Sequence, residues 1–159
     1  SPSLIVVSNN KLRLEAMSAD YKYYKSRPNN AIAMAVTGIV SDENKKIVIG
    51  KRSNVTQQFS GLYDFVPAGS LESESIYRQL DAEWEEETDL QTSVDWNKEI
   101  TVLLDHDNFV MDLCIEGRVH NLTVTKMSSI EVDDYQLIDR FVKHNYKLTP
   151  TASLLLDIL

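Results

Sequence analysis

The apolar residues of this chain fall into short runs that predict β-strands, with polar turns between them. Residues 31–40 form a nearly continuous apolar run, which is typical of a strand covered on both faces of a sheet. Turn residues at 41–44 predict a hairpin from this strand into the next. The further predicted strands are residues 46–51, 62–66, 100–104, 109–116, 120–126 and 135–142.

Two segments have the spacing of helices. In residues 75–88, Ile76, Leu80 and Trp84 recur every four residues, which places one apolar stripe on a helix that is otherwise polar or acidic. Near the end of the chain, Thr149 and Pro150 are a good N-cap and first-turn pair for a closing apolar helix. Strands joined by hairpins and mixed with helices predict an α+β protein, a mixed β-sheet packed between helices.

Composition narrows the class of protein. The chain has 159 residues, of which 43% are hydrophobic, enough for one core. A net charge of −8 disfavours long nucleic acid as a partner, whereas a small anionic substrate needs a metal ion or local cations. The single cysteine, Cys114, favours a reducing, cytoplasmic location. We expect neither a membrane span nor a signal peptide, because no apolar run has the required length or layout.

The acidic end of the first helix is unfavourable by itself. Glu83, Glu86 and Glu87 lie three and four residues apart, so they share one helix face, and no Lys or Arg stands three or four residues from them. Such like-charge pairs cost about 0.2–0.5 kcal/mol each, and the helix dipole adds to the repulsion at this end. A solvated acidic face is one interpretation. A divalent cation held by the carboxylates is the other.

Residues 69–90 resemble the sequence motif of Nudix hydrolases, the Nudix box. Its four glutamates match Glu74, Glu83, Glu86 and Glu87 here, and its apolar positions match Trp84 and Leu90. Three departures stand out. The interval between Gly69 and Glu74 is one residue short, Ala82 replaces an arginine that helps hold the glutamates, and Asp89 replaces the closing glycine. One turn before Ala82, Arg78 is a candidate substitute for the missing arginine.

The resemblance implies an α/β/α Nudix sandwich over residues 31–159, with residues 1–30 as an N-terminal extension packed on or flanking it. It also implies a hydrolase that uses Mg²⁺ or Mn²⁺ to cleave the diphosphate linkage of a nucleoside-diphosphate-X-like substrate by water attack. The implied ligands are Glu83, Glu86, Glu87 and the carbonyl of Gly69, with Glu74 secondary.

The candidates for substrate binding and for the general base lie outside the box-like segment. Arg52, at the end of its strand, resembles a residue that contacts phosphate in this fold, although an ordinary exposed arginine is an equal alternative. Tyr63 and Phe65 are candidates to stack on a base, with core packing as the alternative. The general base is expected in a loop after the box, and Asp134 is preferred over the other acidic candidates, Glu116, Glu131 and Asp133.

Three rival functions stay open at this stage. A Nudix fold that binds nucleotide without turnover would explain the missing arginine and the shortened loop. An isoprenyl-diphosphate isomerase is disfavoured, because that chemistry uses a cysteine and no cysteine lies near residues 63–69. An unrelated α+β domain with an acidic surface helix is the third. Neither the substrate nor a homodimer, which some relatives form, is indicated by the residues themselves.

Overall fold

The computed structural model describes residues 4–8, 32–56, 58–105 and 108–159. Within these ranges lie two helices, α1 (Ile76–Thr88) and α2 (Pro150–Ile158), and a 3₁₀ turn at Val124–Lys126. The strands are β1 (Leu4–Ser8), β2 (Ala33–Ser41), β3 (Ile47–Arg52), β4 (Tyr63–Phe65), β5 (Ala68–Ser70), β6 (Asp95–Trp96), β7 (Thr101–Asp105), β8 (Val110–Arg118) and β9 (Val132–Ile138).

These strands form one mixed sheet. Its main order is β1-β7-β8-β2-β3-β4, while β5 pairs with β2, β6 with β8 and β9 with β3. The only parallel pair among them is β2 with β8, which runs from Ala33↔Val110 to Ser41↔Arg118. β1, the described part of the N-terminal extension, pairs antiparallel with β7 at the edge. The nearly continuous apolar run of β2 is explained by its central place in the sheet.

The sheet divides into two branches along β2. β2 pairs with β3 at Ser41↔Ile47, and toward its other end it pairs instead with β5, at Ala35↔Ser70 and Thr37↔Ala68. β3 meanwhile pairs with β4 and β9. Because the two branches separate, a space opens between them.

One helix covers each face of the sheet. Leu80 of α1 packs against Val36, Leu113 and Ile115. On the opposite face, Ala152 and Leu155 of α2 pack against a cluster that includes Ile39, Ile49, Phe65 and Cys114. Alternate side chains of β8 therefore serve the two cores, as strand geometry requires. The predicted mixed sheet between helices, an α/β/α sandwich, is confirmed.

Both predicted helices are present, and each has an N-cap, of which the one at Thr149 was predicted. The Ser75 side chain accepts a hydrogen bond from the backbone N–H of Arg78, and the Thr149 side chain accepts one from Ala152. α1 ends at Asp89, whose φ of 57° is left-handed. Because an aspartate tolerates the left-handed conformation better than most residues do, Asp89 can stand in place of the closing glycine of the Nudix box.

Two strand predictions were wrong. Residues 120–126 form no strand. Leu122 and Val124 pack against an existing core cluster, and this segment pairs with no strand edge among the described residues. The last strand was placed too late: β9 ends at Ile138, where its pairing with Ile47 ends, and Phe141 beyond it is 88% exposed. The short strands β5 and β6 were not predicted, since each needs a partner strand to exist.

Candidate active site

A cavity of about 570 Å³ lies between the two branches of the sheet and the C-terminal half of α1. Its walls come from α1, from strands β2 to β5 and β8, from the loop that leads into β9, and from the first turn of α2. Arg52 is the one Lys or Arg side chain among the described residues that line it. The acidic residues that line it are Asp64, Glu72, Glu83, Glu86, Glu87, Asp112 and Glu131.

Strand β5 lies against the glutamates of α1. Glu87 is only 7% exposed, and its Oε2 accepts a hydrogen bond of 2.9 Å from the backbone N–H of Ala68. The carboxylate of Glu83 lies against Gly69: a Cβ atom at Gly69 would stand 2.5 Å from Glu83 Cδ. A glycine at 69 is therefore required for Glu83 to occupy this position.

The electrostatics of these glutamates reflect a lack of positive charge. Burial raises the pKa of Glu83 to about 7, and the nearby Glu86 carboxylate adds to the shift. Burial also raises the pKa of Glu87 well above its ordinary value, with contributions from Glu83 and Glu131. The ionised forms of these side chains are therefore disfavoured unless a cation enters the cavity.

The side chain that holds Glu83 is a glutamine. Gln79 is buried, and its Nε2 donates a hydrogen bond of 3.0 Å to Glu83 Oε1, while its Oε1 accepts one from the backbone N–H of Glu72. Arg78 and Ala82 are both exposed and lie outside the cavity lining. Gln79 was not among the predicted site residues, although its position four residues before Glu83 places it on the same helix face.

The donor chemistry of the cavity fits a hard divalent cation. Across the described ranges, no three carboxylate, imidazole or thiol side chains stand close enough to hold a metal ion by themselves. Mg²⁺ does not need such a cage, because it usually binds through one or two carboxylates and completes its shell with water and substrate phosphates. Glu83 and Glu87 supply such carboxylates, and Glu86 lines the same cavity. Glu74 is exposed and lies outside the lining.

The predicted substrate residues are separated by the fold. Arg52 lines the cavity, where its Nε donates to the Gln58 carbonyl oxygen at 2.8 Å and its Nη1 lies 3.9 Å from Asp64 Oδ2. Phe65 also lines the cavity, but it is only 1% exposed and packs mainly in the core beneath α2. Tyr63 packs against that same core, outside the cavity lining. The structure therefore brings Arg52, but not the ring of Tyr63, to the glutamates.

Asp134, the preferred general base, also lies outside the cavity lining. Its Oδ2 accepts hydrogen bonds from Tyr63 Oη at 2.6 Å and from Gln136 Nε2 at 3.0 Å, and the first of these is the main reason why its pKa is lowered. The register pairs Asp134 with Lys51, whose neighbours Gly50 and Arg52 line the cavity. Since adjacent strand residues point to opposite faces, Asp134 points away from the glutamates.

Among the other acidic candidates, Glu131 is the one that lines the cavity. Glu116 forms an ion pair of 3.0 Å with Arg140, and Asp133 is exposed. The charge of Glu131 contributes to the raised pKa of both Glu83 and Glu87, so it lies within electrostatic reach of them.

No protein-family model matches this sequence, and no curated protein matches it. Solved structures do match. The Nudix domain of NrtR from Shewanella oneidensis, solved with ADP ribose, is 14% identical with a TM-score of 0.56, and the match covers 88% of this chain and 96% of that one. A MutT protein from Methanosarcina mazei is 17% identical with a TM-score of 0.54, over 69% of this chain and 78% of its own.

A bifunctional NMN adenylyltransferase/ADP ribose pyrophosphatase from Francisella tularensis is 14% identical with a TM-score of 0.63, over 86% of this chain and 43% of that one. At such identities the likeness shows the fold. The fold is therefore that of Nudix hydrolases, with an acidic cavity beside the helix that carries the box-like residues. Neither helix of the described ranges is long and apolar enough to cross a membrane.

Proposed function

We propose that this protein is a hydrolase that uses Mg²⁺ or Mn²⁺ to cleave the diphosphate linkage of a small nucleoside-diphosphate-X-like molecule by water attack. The observation that carries the proposal is the crowding of Glu83, Glu86 and Glu87 into one cavity, in which Arg52 is the only Lys or Arg among the described lining residues. The raised pKa values of Glu83 and Glu87 favour cation binding, because a divalent ion converts the repulsion among the carboxylates into shared attraction.

In this proposal Glu83, Glu87 and the carbonyl of Gly69 hold the ion directly, Glu86 contacts it through a bound water molecule, and Glu74 keeps the secondary place predicted from sequence. When bound, the ion neutralises charge on the diphosphate oxygens and lowers the pKa of a water molecule. Two neighbours orient the carboxylates. Gln79 fixes Glu83 through its side-chain amide, and the backbone N–H of Ala68 fixes Glu87.

Glu131 replaces Asp134 as the proposed general base. It lines the cavity that holds the helix glutamates, whereas Asp134 is held by Tyr63 and Gln136 outside it. A base must come within hydrogen-bond reach of the water that it deprotonates, so location decides between the two. Arg52 is the proposed contact for a diphosphate oxygen, since its guanidinium is positively charged and already lies in the cavity wall.

The substrate class draws support from the structural neighbours. The NrtR Nudix domain was solved with ADP ribose, and the Francisella protein is described as an ADP ribose pyrophosphatase. Both point to a nucleoside diphosphate derivative here. We place the catalytic domain at residues 31–159, with residues 1–30 flanking it through β1, and we propose a cytoplasmic location. A homodimer, which some relatives form, is a further expectation to be tested in solution.

The decisive experiment is a panel of diphosphate substrates assayed with Mg²⁺ or Mn²⁺ for release of phosphate or mononucleotide. Wild type is compared with Glu87→Gln and with a matched control, Glu85→Gln. Glu85 is exposed on the same helix and lies outside the cavity lining. We expect turnover in the wild type and in the control, and a loss of at least about 100-fold in Glu87→Gln. Equal turnover in all three proteins would exclude the metal role of Glu87.

A binding module without turnover is the second candidate function, and Ala82 favours it. This residue is exposed and offers no group to replace the arginine of the Nudix box. Ligand binding without product release in the same panel would establish the module. The isomerase receives no support, because Cys114 is buried in the core beneath α2 and burial raises the pKa of its thiol well above the ordinary value.

A further inference from the structure

The cavity has a second end, on the α2 side of the sheet. Val36 and Leu113 pack in the core under α1, so their strand neighbours Thr37 and Asp112 point to the opposite face. Thr37 and Asp112 nevertheless line the cavity, together with Thr151 from the first turn of α2. The cavity therefore passes from the glutamates of α1 through the gap between the two sheet branches.

The polar side chains at this second end are mainly hydrogen-bond acceptors. Thr37 Oγ1 lies 2.9 Å from one carboxylate oxygen of Asp112 and 3.0 Å from the other, and its single hydroxyl proton serves that carboxylate. Asp64, the other acid here, is within 3.9 Å of the Arg52 guanidinium and also accepts from the backbone N–H of Phe65. Asp112 has no ion pair with a Lys or Arg among the described residues.

A carboxylate in this situation lacks part of its solvation. Burial raises the pKa of Asp112 to about 6, and the charge of Asp64 adds to the shift. The Thr37 hydroxyl fills one of the roughly four lone-pair sites that a carboxylate offers, and the side chain still borders open space. A ligand group that donates hydrogen bonds would therefore be bound favourably at this point, whereas a ligand carbonyl oxygen would be repelled.

We infer that Asp112 is a specificity-determining residue, which accepts a hydrogen bond from an N–H group on the part of the substrate remote from the diphosphate. The class of ligand that fits is a heterocycle with an exocyclic amino group, such as cytosine or adenine. The presence of a diphosphate in this substrate rests on the proposed function. The preference for an N–H donor rests on Asp112, Thr37 and the shape of the cavity alone.

Matched ligand pairs test this inference without the metal. Binding of the uncharged nucleosides, cytidine against uridine and adenosine against purine riboside, is measured by calorimetry in a chelator. Purine riboside lacks only the amino group of adenosine, whereas uridine carries a carbonyl oxygen in place of the amino group of cytidine and a proton on N3. We expect the wild type to favour the amino member by about 10- to 100-fold, the range for a hydrogen bond to a charged group. Asp112→Asn should reduce this preference to within about threefold, because its amide both donates and accepts.

The matched control is Asp133→Asn, since Asp133 is exposed and lies outside the cavity lining. Asp112→Asn keeps an acceptor for Thr37, and a second variant, Thr37→Val, leaves Asp112 itself in place. Thr37→Val should retain the preference for the amino member. If Asp112→Asn does not fold, the ratio measured in wild type and in Thr37→Val decides the question.

Three outcomes would overturn the inference. The wild type could bind both members of each pair equally, Asp112→Asn could weaken both members by the same factor, or affinity could depend on the ribose hydroxyls instead of the amino group. Failure of the proposed function has a different signature. Selective binding in the chelator, with no hydrolysis of CDP-linked or ADP-linked diphosphates in Mg²⁺ or Mn²⁺, would support the role of Asp112 and exclude the hydrolase.

Discussion

Two carboxylates, Asp134 and Glu87, show how differently this fold treats the same chemical group. Asp134 accepts hydrogen bonds from Tyr63 and Gln136, and its pKa is lowered. Glu87 is almost fully buried beside other acids, and its side chain accepts a hydrogen bond from the backbone N–H of Ala68. Its pKa is raised well above the ordinary value. The first carboxylate is satisfied by the protein itself. The second needs a ligand, which is why we propose a functional role for Glu87 and a structural role for Asp134.

The largest effect expected from this contrast is metal-dependent stability at Glu87. Divalent ions should stabilise the wild type, by about 2.7 kcal/mol at a concentration 100 times the Kd. In Glu87→Gln this gain should disappear. Its Tm in a chelator should exceed that of the wild type, because a buried charge among like charges has been removed. Thermal denaturation with and without Mg²⁺ or Mn²⁺ measures both effects. If the Tm of Glu87→Gln in the chelator were lower than that of the wild type, the buried Glu87 carboxyl would not be destabilising.

Gly69→Ala should weaken metal binding by about 10- to 100-fold, the range for groups that orient a metal ligand. A Cβ at this position would stand 2.5 Å from Glu83 Cδ, so the carboxylate must move away. Calorimetric metal titration gives the change. If the effect acts through Glu83, adding Gly69→Ala to Glu83→Gln should change the affinity little further. Full additivity of the two variants would reject this explanation.

Gln79→Ala should lower metal affinity by about tenfold through loss of the hydrogen bond to Glu83. As a positioning residue, Gln79 should affect the metal concentration needed for turnover more than kcat at saturating metal. Gln91→Ala is the matched control, because Gln91 is exposed beyond the end of α1. A loss of kcat that excess metal does not restore would show that Gln79 does more than hold Glu83.

The smallest effect is expected at Asp134. Asp134→Asn or Tyr63→Phe should cost about 1 kcal/mol of folding stability at neutral pH. Because the folded pKa of Asp134 is lowered, this contribution is present above the ordinary carboxyl pKa and is lost as the pH falls through the folded value. Denaturant unfolding at several pH values tests the trend. A large loss of turnover at unchanged stability would return Asp134 to the role of general base.

Local signals were sufficient for the helices and for the acidic cluster. The spacing of Ile76, Leu80 and Trp84 predicted α1, and its caps at Ser75 and Asp89 behave as their residue types suggest. The repulsion among the glutamates at its end was visible in their spacing alone. In contrast, the choice of Asp134 as base could not be checked from the sequence, because the face to which a strand residue points depends on pairing register.

The amino-acid sequence by itself determined which segments form helices, where they begin and end, and that three carboxylates crowd one helix face, since these properties depend on residues within a few positions of each other. Only the tertiary structure decided that Gln79 fixes Glu83 and that Glu131 lines the cavity while Asp134 does not. It also decided that Asp112 lies at the end of the cavity remote from the helix glutamates. These outcomes depend on strand register and on the separation of β2 from β3, which bring together residues distant in the chain.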